Sequence, residues 1–248
     1  MPRLGLIGGT GLDDFGKAVT SHDLKTVFGR PSAKFAEYQI GDLQLYFLPR
    51  HGAQHEIPPH AVNYQANIDA FKQLEVEGII AVNAVGGISS ATPPGALCVP
   101  DQLIDYSWGR AHTFSMAAGD DLLHVEFAQP FEGRVRSGLL RAASAANIPV
   151  TNGGCVAVTQ GPRLETAAEV GRLRQDGCDL VGMTSMPEAA LAREAGLDYA
   201  SLCVTANWAA GLEPEPVTMA AIEATLATAM IKVRNLLGKF FEEFHHVR

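Results

Sequence analysis

The 248-residue chain is poor in the features that would place it in several common classes. No apolar run reaches the roughly 18–20 residues needed to cross a bilayer. The start, Met1-Pro2-Arg3-Leu4-Gly5-Leu6-Ile7, runs from a short apolar stretch straight into glycines, unlike a secretory leader, so a cytoplasmic protein is expected. No basic stripe is present: 19 Lys+Arg, scattered, face 27 Asp+Glu, for a net charge of −8. A nucleic-acid binder draws most of its affinity from phosphate neutralisation, so nucleic acid is not an expected partner. The four cysteines, Cys98, Cys155, Cys178 and Cys203, form no CxxC pair and sit among apolar neighbours, which fits buried free thiols rather than a disulfide or metal framework. Internal repeats, low-complexity segments and linkers are also lacking.

What is present is a core-forming composition. Apolar residues make up 47% and charged residues 19% of the chain, enough for one large domain over 1–248 and too apolar for global disorder. Short β-branched runs alternate with helical stretches. Leu4–Gly8, Gly78–Val82, Ala96–Val99, Cys155–Val158, Leu180–Met183 and Tyr199–Thr205 read as strands. Glu37–Ile40 and Gln44–Leu48 flank a Gly41-Asp42 hairpin turn. Helices are expected over Val62–Glu77, Val135–Ala146, Thr166–Arg174 with a Thr166/Glu169 capping box, Pro187–Ala195 and Val217–Leu237. The alternation predicts an α/β class with a largely parallel or mixed central sheet. Arg110–Ala128 and Ala209–Pro216 read as irregular, and loops at strand ends are where α/β sheets bind ligands.

Glycine-rich segments follow two strands: Gly8-Gly9-Thr10-Gly11, and Asn83-Ala84-Val85-Gly86-Gly87, which reads as a second turn. Such a turn can aim backbone N–H groups at an anion, or can be only a tight bend. A dinucleotide fold needs GxGxxG, but position 14 is Asp14, and no GxxxxGK[ST] loop occurs. No Ser-His-Asp or Cys-His set suggests a protein nucleophile.

Arg50-His51-Gly52, His55, Pro58 and Val62-Asn63-Tyr64-Gln65-Ala66-Asn67 resemble the trimeric purine nucleoside phosphorylase and methylthioadenosine phosphorylase family. The likeness continues through both glycine segments, Gly161-Pro162-Arg163-Leu164-Glu165-Thr166 and Val181–Glu188, in order from residue 4 to about residue 207. The resemblance implies a single-domain nucleoside phosphorylase fold, with a central mixed β-sheet flanked by helices. It implies a homotrimer, no metal or cofactor, and phosphorolysis of a purine nucleoside through an oxocarbenium-like sugar. By the same resemblance Thr10, Arg50, His51, the Ala84 N–H and Thr184 hold phosphate. Arg50 is expected to offer a multi-donor fork, and Thr10 and Thr184 hydroxyls. Val181 belongs to the substrate wall and Met183 lies against the ribose, where it can also be a core methionine.

Base choice is read at two places. Adenine-cleaving members resemble Thr-Asp-x-Asp where this chain has Thr205-Ala206-Asn207-Trp208-Ala209. An asparagine offers one donor and one acceptor, matching O6 and a protonated N7 of a 6-oxopurine, whereas adenine presents two donors. Glu165 can accept the N1–H of a 6-oxopurine but would oppose adenine N1. Each position also fits a plain structural role, a turn asparagine and a helix-start glutamate.

At the sugar, Met219 and Ile222 are expected to form an apolar 5′ wall, although they also fit the core face of an amphipathic helix. No histidine occurs between His124 and His245 to meet a 5′-hydroxyl. His124 resembles the residue lent by a neighbouring subunit, with a solvated loop histidine as the alternative. Together the two ends predict S-methyl-5′-thioinosine and phosphate as substrates, with Asn207, Glu165 and His51 closest to the chemistry. Methylthioadenosine, inosine or guanosine are the competing substrates. A non-catalytic purine-binding module is the competing class.

Overall fold

The computed structural model describes residues 1–12, 14–115 and 122–244. Among these, eleven strands form one mixed sheet, in the order β2-β3-β4-β1-β5-β10-β9-β7, with β11 paired to β5, β6 to β11 and β8 to β6. The strands are β1 (Arg3–Gly8), β2 (Thr20–His22), β3 (Phe35–Ile40), β4 (Leu43–Pro49), β5 (Gly78–Gly87), β6 (Leu97–Val99), β7 (Gln102–Asp105), β8 (Thr151–Asn152), β9 (Cys155–Val158), β10 (Leu180–Gly182) and β11 (Asp198–Trp208). The helices are α1 (Tyr64–Gln73), α2 (Arg134–Ala145), α3 (Ala167–Gln175), α4 (Ser185–Glu194) and α5 (Met219–Glu243).

Pleating sorts the central strands into two cores. Along β5, Ile80 and Val82 face one side, and Ile79 and Ala81 the other. The first side meets α2 and α5 through Leu139, Leu226, Val233 and Phe240. The second meets α1 and α4 through Phe71, Ala189 and Leu191. Burial on both faces explains why these strands read as unbroken apolar runs. Each fully buried aliphatic or aromatic side chain contributes about 1.5–3 kcal/mol.

The predicted α/β class and the core strands agree with this architecture. Gly41 closes the β3–β4 hairpin at φ 57°, and the Thr166/Glu169 capping box opens α3. Two expectations are corrected. The helix expected over Val62–Glu77 spans only Tyr64–Gln73, because the Asn63 side chain caps it by accepting from the Ala66 N–H, and Glu75 adopts φ 56° just past its end. The expected turn at Asn83–Gly87 is instead the second half of β5. Its glycines serve close approach: a Cβ on Gly87 would lie 2.1 Å from the Thr92 carbonyl oxygen.

Candidate active site

One edge of β5 is shared. β1 pairs with Gly78–Ala81, β10 pairs with Gly86 and Gly87, and among the described residues those between have no strand partner on that edge. β11 takes the other edge along its length. The resulting opening is a switch point of the kind where α/β sheets bind ligands. A cavity of about 570 Å³ sits there.

The opening is lined from several directions. Arg50, just beyond β4, donates from Nη1 to the Val82 carbonyl at 3.2 Å. That carbonyl therefore faces the gap. N–H and C=O directions alternate along a strand, so the Ala84 N–H two residues on faces it too. Gly9, after β1, approaches so closely that a Cβ would lie 2.5 Å from the Val82 oxygen and 3.1 Å from Arg50 Nη1. Thr10 follows at the cavity wall, its hydroxyl 3.5 Å from His55 Nε2.

Arg50 is not the free fork expected from the sequence. Its Nε and Nη2 each donate to a Glu188 oxygen at 2.8 Å, and both side chains are fully buried. Tyr199 donates to the same carboxylate at 2.8 Å. Burial works against the Arg50 charge, but Glu188 more than offsets it and the pKa rises. Three of the five guanidinium N–H groups are thus engaged, and two remain for a ligand.

His51 donates from Nδ1 to the Ile57 carbonyl at 2.8 Å, since that oxygen can only accept. Burial first, then Arg50, holds its pKa down at about 4. The neutral ring therefore presents Nε2 as an acceptor. Thr184, at the start of α4, donates to Asn83 Oδ1 at 3.0 Å. Asn83 is fixed in turn by donating to the Ala81 carbonyl and to Ser201 Oγ. The Thr184 hydroxyl proton thus points inward, unlike the donor expected from the sequence.

At the other end of the cavity, β11 carries a bulge between Thr205 and Asn207 against β5. Bulges re-aim side chains, and Asn207 lines the cavity. Its Nδ2 donates to the Trp208 carbonyl at 2.6 Å, leaving one N–H and Oδ1. Glu165 Oε1 accepts from the Thr159 hydroxyl at 2.6 Å, and Oε2 accepts from no other described residue. Val181, Met183, Met219 and Ile222 complete the wall, with Met219 60% exposed. Every candidate phosphate- or nucleoside-binding residue named from the sequence lines this cavity except His124, which is exposed and lies outside it. Of the two irregular segments, Ala209 and Ala210 of the second line the cavity, and none of the described residues of Arg110–Ala128 does; residues 116–121 lie outside the described residues.

Sequence reasoning assigned no role to Glu188, Tyr199, Asn83 or Arg110. The signal for Glu188 was an acid inside the apolar run Met186–Leu191, since a buried carboxylate requires a partner. Arg110 donates to the Met183 and Gln160 carbonyls at 2.8 and 2.9 Å, tying together the backbone behind the cavity.

A cavity of about 570 Å³ at a gap in a mixed sheet, with a donor/acceptor pair at its far end, fits a nucleoside-cleaving phosphorylase. The chain belongs to the phosphorylase superfamily, whose pattern matches residues 3–242. It is 47% identical to a probable S-methyl-5′-thioinosine phosphorylase of Xylella fastidiosa, over 97% of this chain and 98% of that one. It is 40% identical to a 6-oxopurine nucleoside phosphorylase of Pyrococcus furiosus, over 88% and 84% of the two chains. Among solved structures, a methylthioadenosine phosphorylase from Schistosoma mansoni in complex with adenine superposes with a TM-score of 0.94, at 34% identity over 99% and 93% of the two chains.

Proposed function

We propose that the protein converts S-methyl-5′-thioinosine and phosphate to hypoxanthine and 5-methylthioribose 1-phosphate, in purine salvage. One observation carries the base assignment: Glu165 is anchored by Thr159 through one oxygen, with the other left to accept a purine N1–H. Asn207 adds an N–H for O6 and an oxygen for a protonated N7. Adenine would leave Glu165 facing an acceptor, at a cost of about 1–3 kcal/mol. The relatives named for methylthioinosine and 6-oxopurine cleavage support the same choice.

In the reaction a phosphate oxygen bonds to C1′ as the C1′–N9 bond breaks. The bonding pair leaves with the base, which ends protonated as phosphate gives up one proton. Thr10, Arg50, His51, Ala84 and Thr184 hold the anion at the gap in the sheet. Asn207 and Glu165 stabilise charge on the departing base. Val181 and Met183 pack on the nucleoside, and Met219 and Ile222 give the 5′ end an apolar wall suited to a methylthio group and unsuited to a hydroxyl. Phosphate is a co-substrate, and no metal or cofactor is called for.

The proposal includes assembly as a cytoplasmic homotrimer without nucleic-acid or membrane partners, with His124 lent to a neighbour's sugar pocket. Among the described residues no helix is long and apolar enough to cross a membrane. Light scattering should give a trimer mass, and His124→Ala should raise KM for the nucleoside more than for phosphate.

The deciding assay measures base release from methylthioinosine, methylthioadenosine and inosine, side by side, with and without phosphate. Preference for methylthioinosine supports both ends of the pocket. Preference for methylthioadenosine overturns the roles of Asn207 and Glu165, and preference for inosine overturns the apolar 5′ wall. Absence of phosphate-dependent release overturns the enzyme assignment.

A further inference from the structure

The anion end of the cavity is poor in net positive charge. Among the described lining residues Arg50 is the one guanidinium or ammonium group, and Glu188 neutralises it at 2.8 Å. Glu56 also lines the cavity, and Glu165 lines its other end. A doubly charged oxyanion would enter a site whose fixed charges already sum to zero or below.

The hydrogen-bond directions agree. The Nδ1 proton of His51 is committed to Ile57, so Nε2 of the neutral ring accepts. The Thr184 proton is committed to Asn83, so its oxygen accepts. Two acceptors therefore line the anion end, beside the donors of Ala84 and the two remaining Arg50 N–H groups and the Thr10 hydroxyl, which lies 3.5 Å from His55 Nε2. A fully deprotonated oxyanion has nothing to give those acceptors. Dihydrogen phosphate has two P–O–H donors and two bare oxygens, and can satisfy both kinds of partner.

We propose that the cradle selects the singly charged, proton-bearing form of inorganic phosphate, whose hydroxyls donate to His51 Nε2 and Thr184 Oγ1. This rests on the phosphorolysis reading and deepens it by naming the protonation state of the co-substrate. The groups that act on His51 are Arg50, His55 and the Ile57 carbonyl on its own segment, while Glu188 from α4, Tyr64 from α1 and Tyr199 from β11 act on Arg50. Burial and Arg50 dominate, holding the imidazole neutral down to about pH 4.

The test is calorimetric titration of the full chain with inorganic phosphate at pH values on either side of its second ionisation, with sulfate as a probe that carries no proton. Affinity for total phosphate should fall about tenfold per pH unit above that ionisation, with proton uptake on binding. Sulfate should bind at least about tenfold more weakly than phosphate on the acid side, because two acceptors stay unmatched. Imidazolium with the dianion has the same proton count, so the ¹⁵N spectrum of labelled His51 in the phosphate complex separates the two. A bare Nε2 supports the proposal, and a doubly protonated ring overturns it. Affinity that is flat or rising with pH, or sulfate binding as tightly as phosphate, also overturns it while leaving phosphorolysis standing. Failure to bind phosphate at any pH overturns both.

Discussion

The two ends of the cavity are built by different means. At the anion end Arg50 and Glu188 are wholly buried, Tyr199 caps the pair, and Thr184, Asn83 and Ser201 form a continuous hydrogen-bonded chain. At the end proposed above for the 5′ group the wall is Met219, 60% exposed, and Ile222, on the first turn of a helix that follows an irregular segment. One end is wired by polar groups that cannot change singly without leaving a partner stranded. The other is apolar surface, where a side chain can change at little structural cost. The contrast assigns the shared chemistry to the first end and substrate discrimination to the residues beyond it.

The hardest test of that contrast removes the charge behind Arg50. Glu188→Gln strands a buried guanidinium and should destabilise the fold by about 3–5 kcal/mol in urea unfolding, with Tyr199→Phe costing about 1 kcal/mol. A Glu188→Gln protein as stable as wild type would show that the anion end is not held by this pair. Next comes acid titration. The pKa of His51 is depressed from 6.5 to about 4 by burial and Arg50. Between these values the unfolded chain binds more protons, so the His51 contribution is complete above pH 6.5 and is lost as pH falls towards 4. Of order 2–3 kcal/mol should disappear across that window, and His51→Asn should flatten the curve, as read by thermal unfolding.

The base end is expected to respond through selectivity. Glu165→Gln should lower kcat/KM for methylthioinosine about ten- to a hundredfold. The double change Asn207→Asp, Ala209→Asp should shift preference towards methylthioadenosine; unchanged preference would break the base argument. The smallest effect belongs to the 5′ wall. Met219→Gln should cost methylthioinosine relative to inosine by several-fold, with stability unaltered because the side chain is mostly exposed.

The sequence made the central strands legible because burial on both faces leaves few readings for runs such as Gly78–Val82. It concealed β2, β7 and β8, which are short and largely polar: Thr-Ser-His, Gln-Leu-Ile-Asp and Thr-Asn. It also made Gly86-Gly87 look like a turn, because glycine needed for close approach is spelled like glycine needed for a bend. The cavity-lining residues were legible through resemblance to a family. Their hydrogen-bond directions were not, because those depend on partners distant in sequence. Arg50 meets Glu188 across 138 positions and Thr184 meets Asn83 across 101. A motif names a hydroxyl or a guanidinium but cannot say where its protons are already spent.

The ladder between β5 and β11 has a consequence for how such an enzyme can diversify. The Ala84 N–H, which faces the gap in the sheet, and Asn207, which lines the cavity's other end, lie on neighbouring strands, in register at Ala84 with Val204 and Gly86 with Asn207. On the proposed reaction, backbone pairing therefore works as a ruler that sets the span from nucleophile to leaving group. With the base contacts proposed above, a substitution at 165, 207 or 209 would exchange one purine for another with that span intact. An insertion in either strand would turn the side chains beyond it to the opposite face. New substrates are thus open to this scaffold through point changes, while the reaction it performs is locked by the register of two strands.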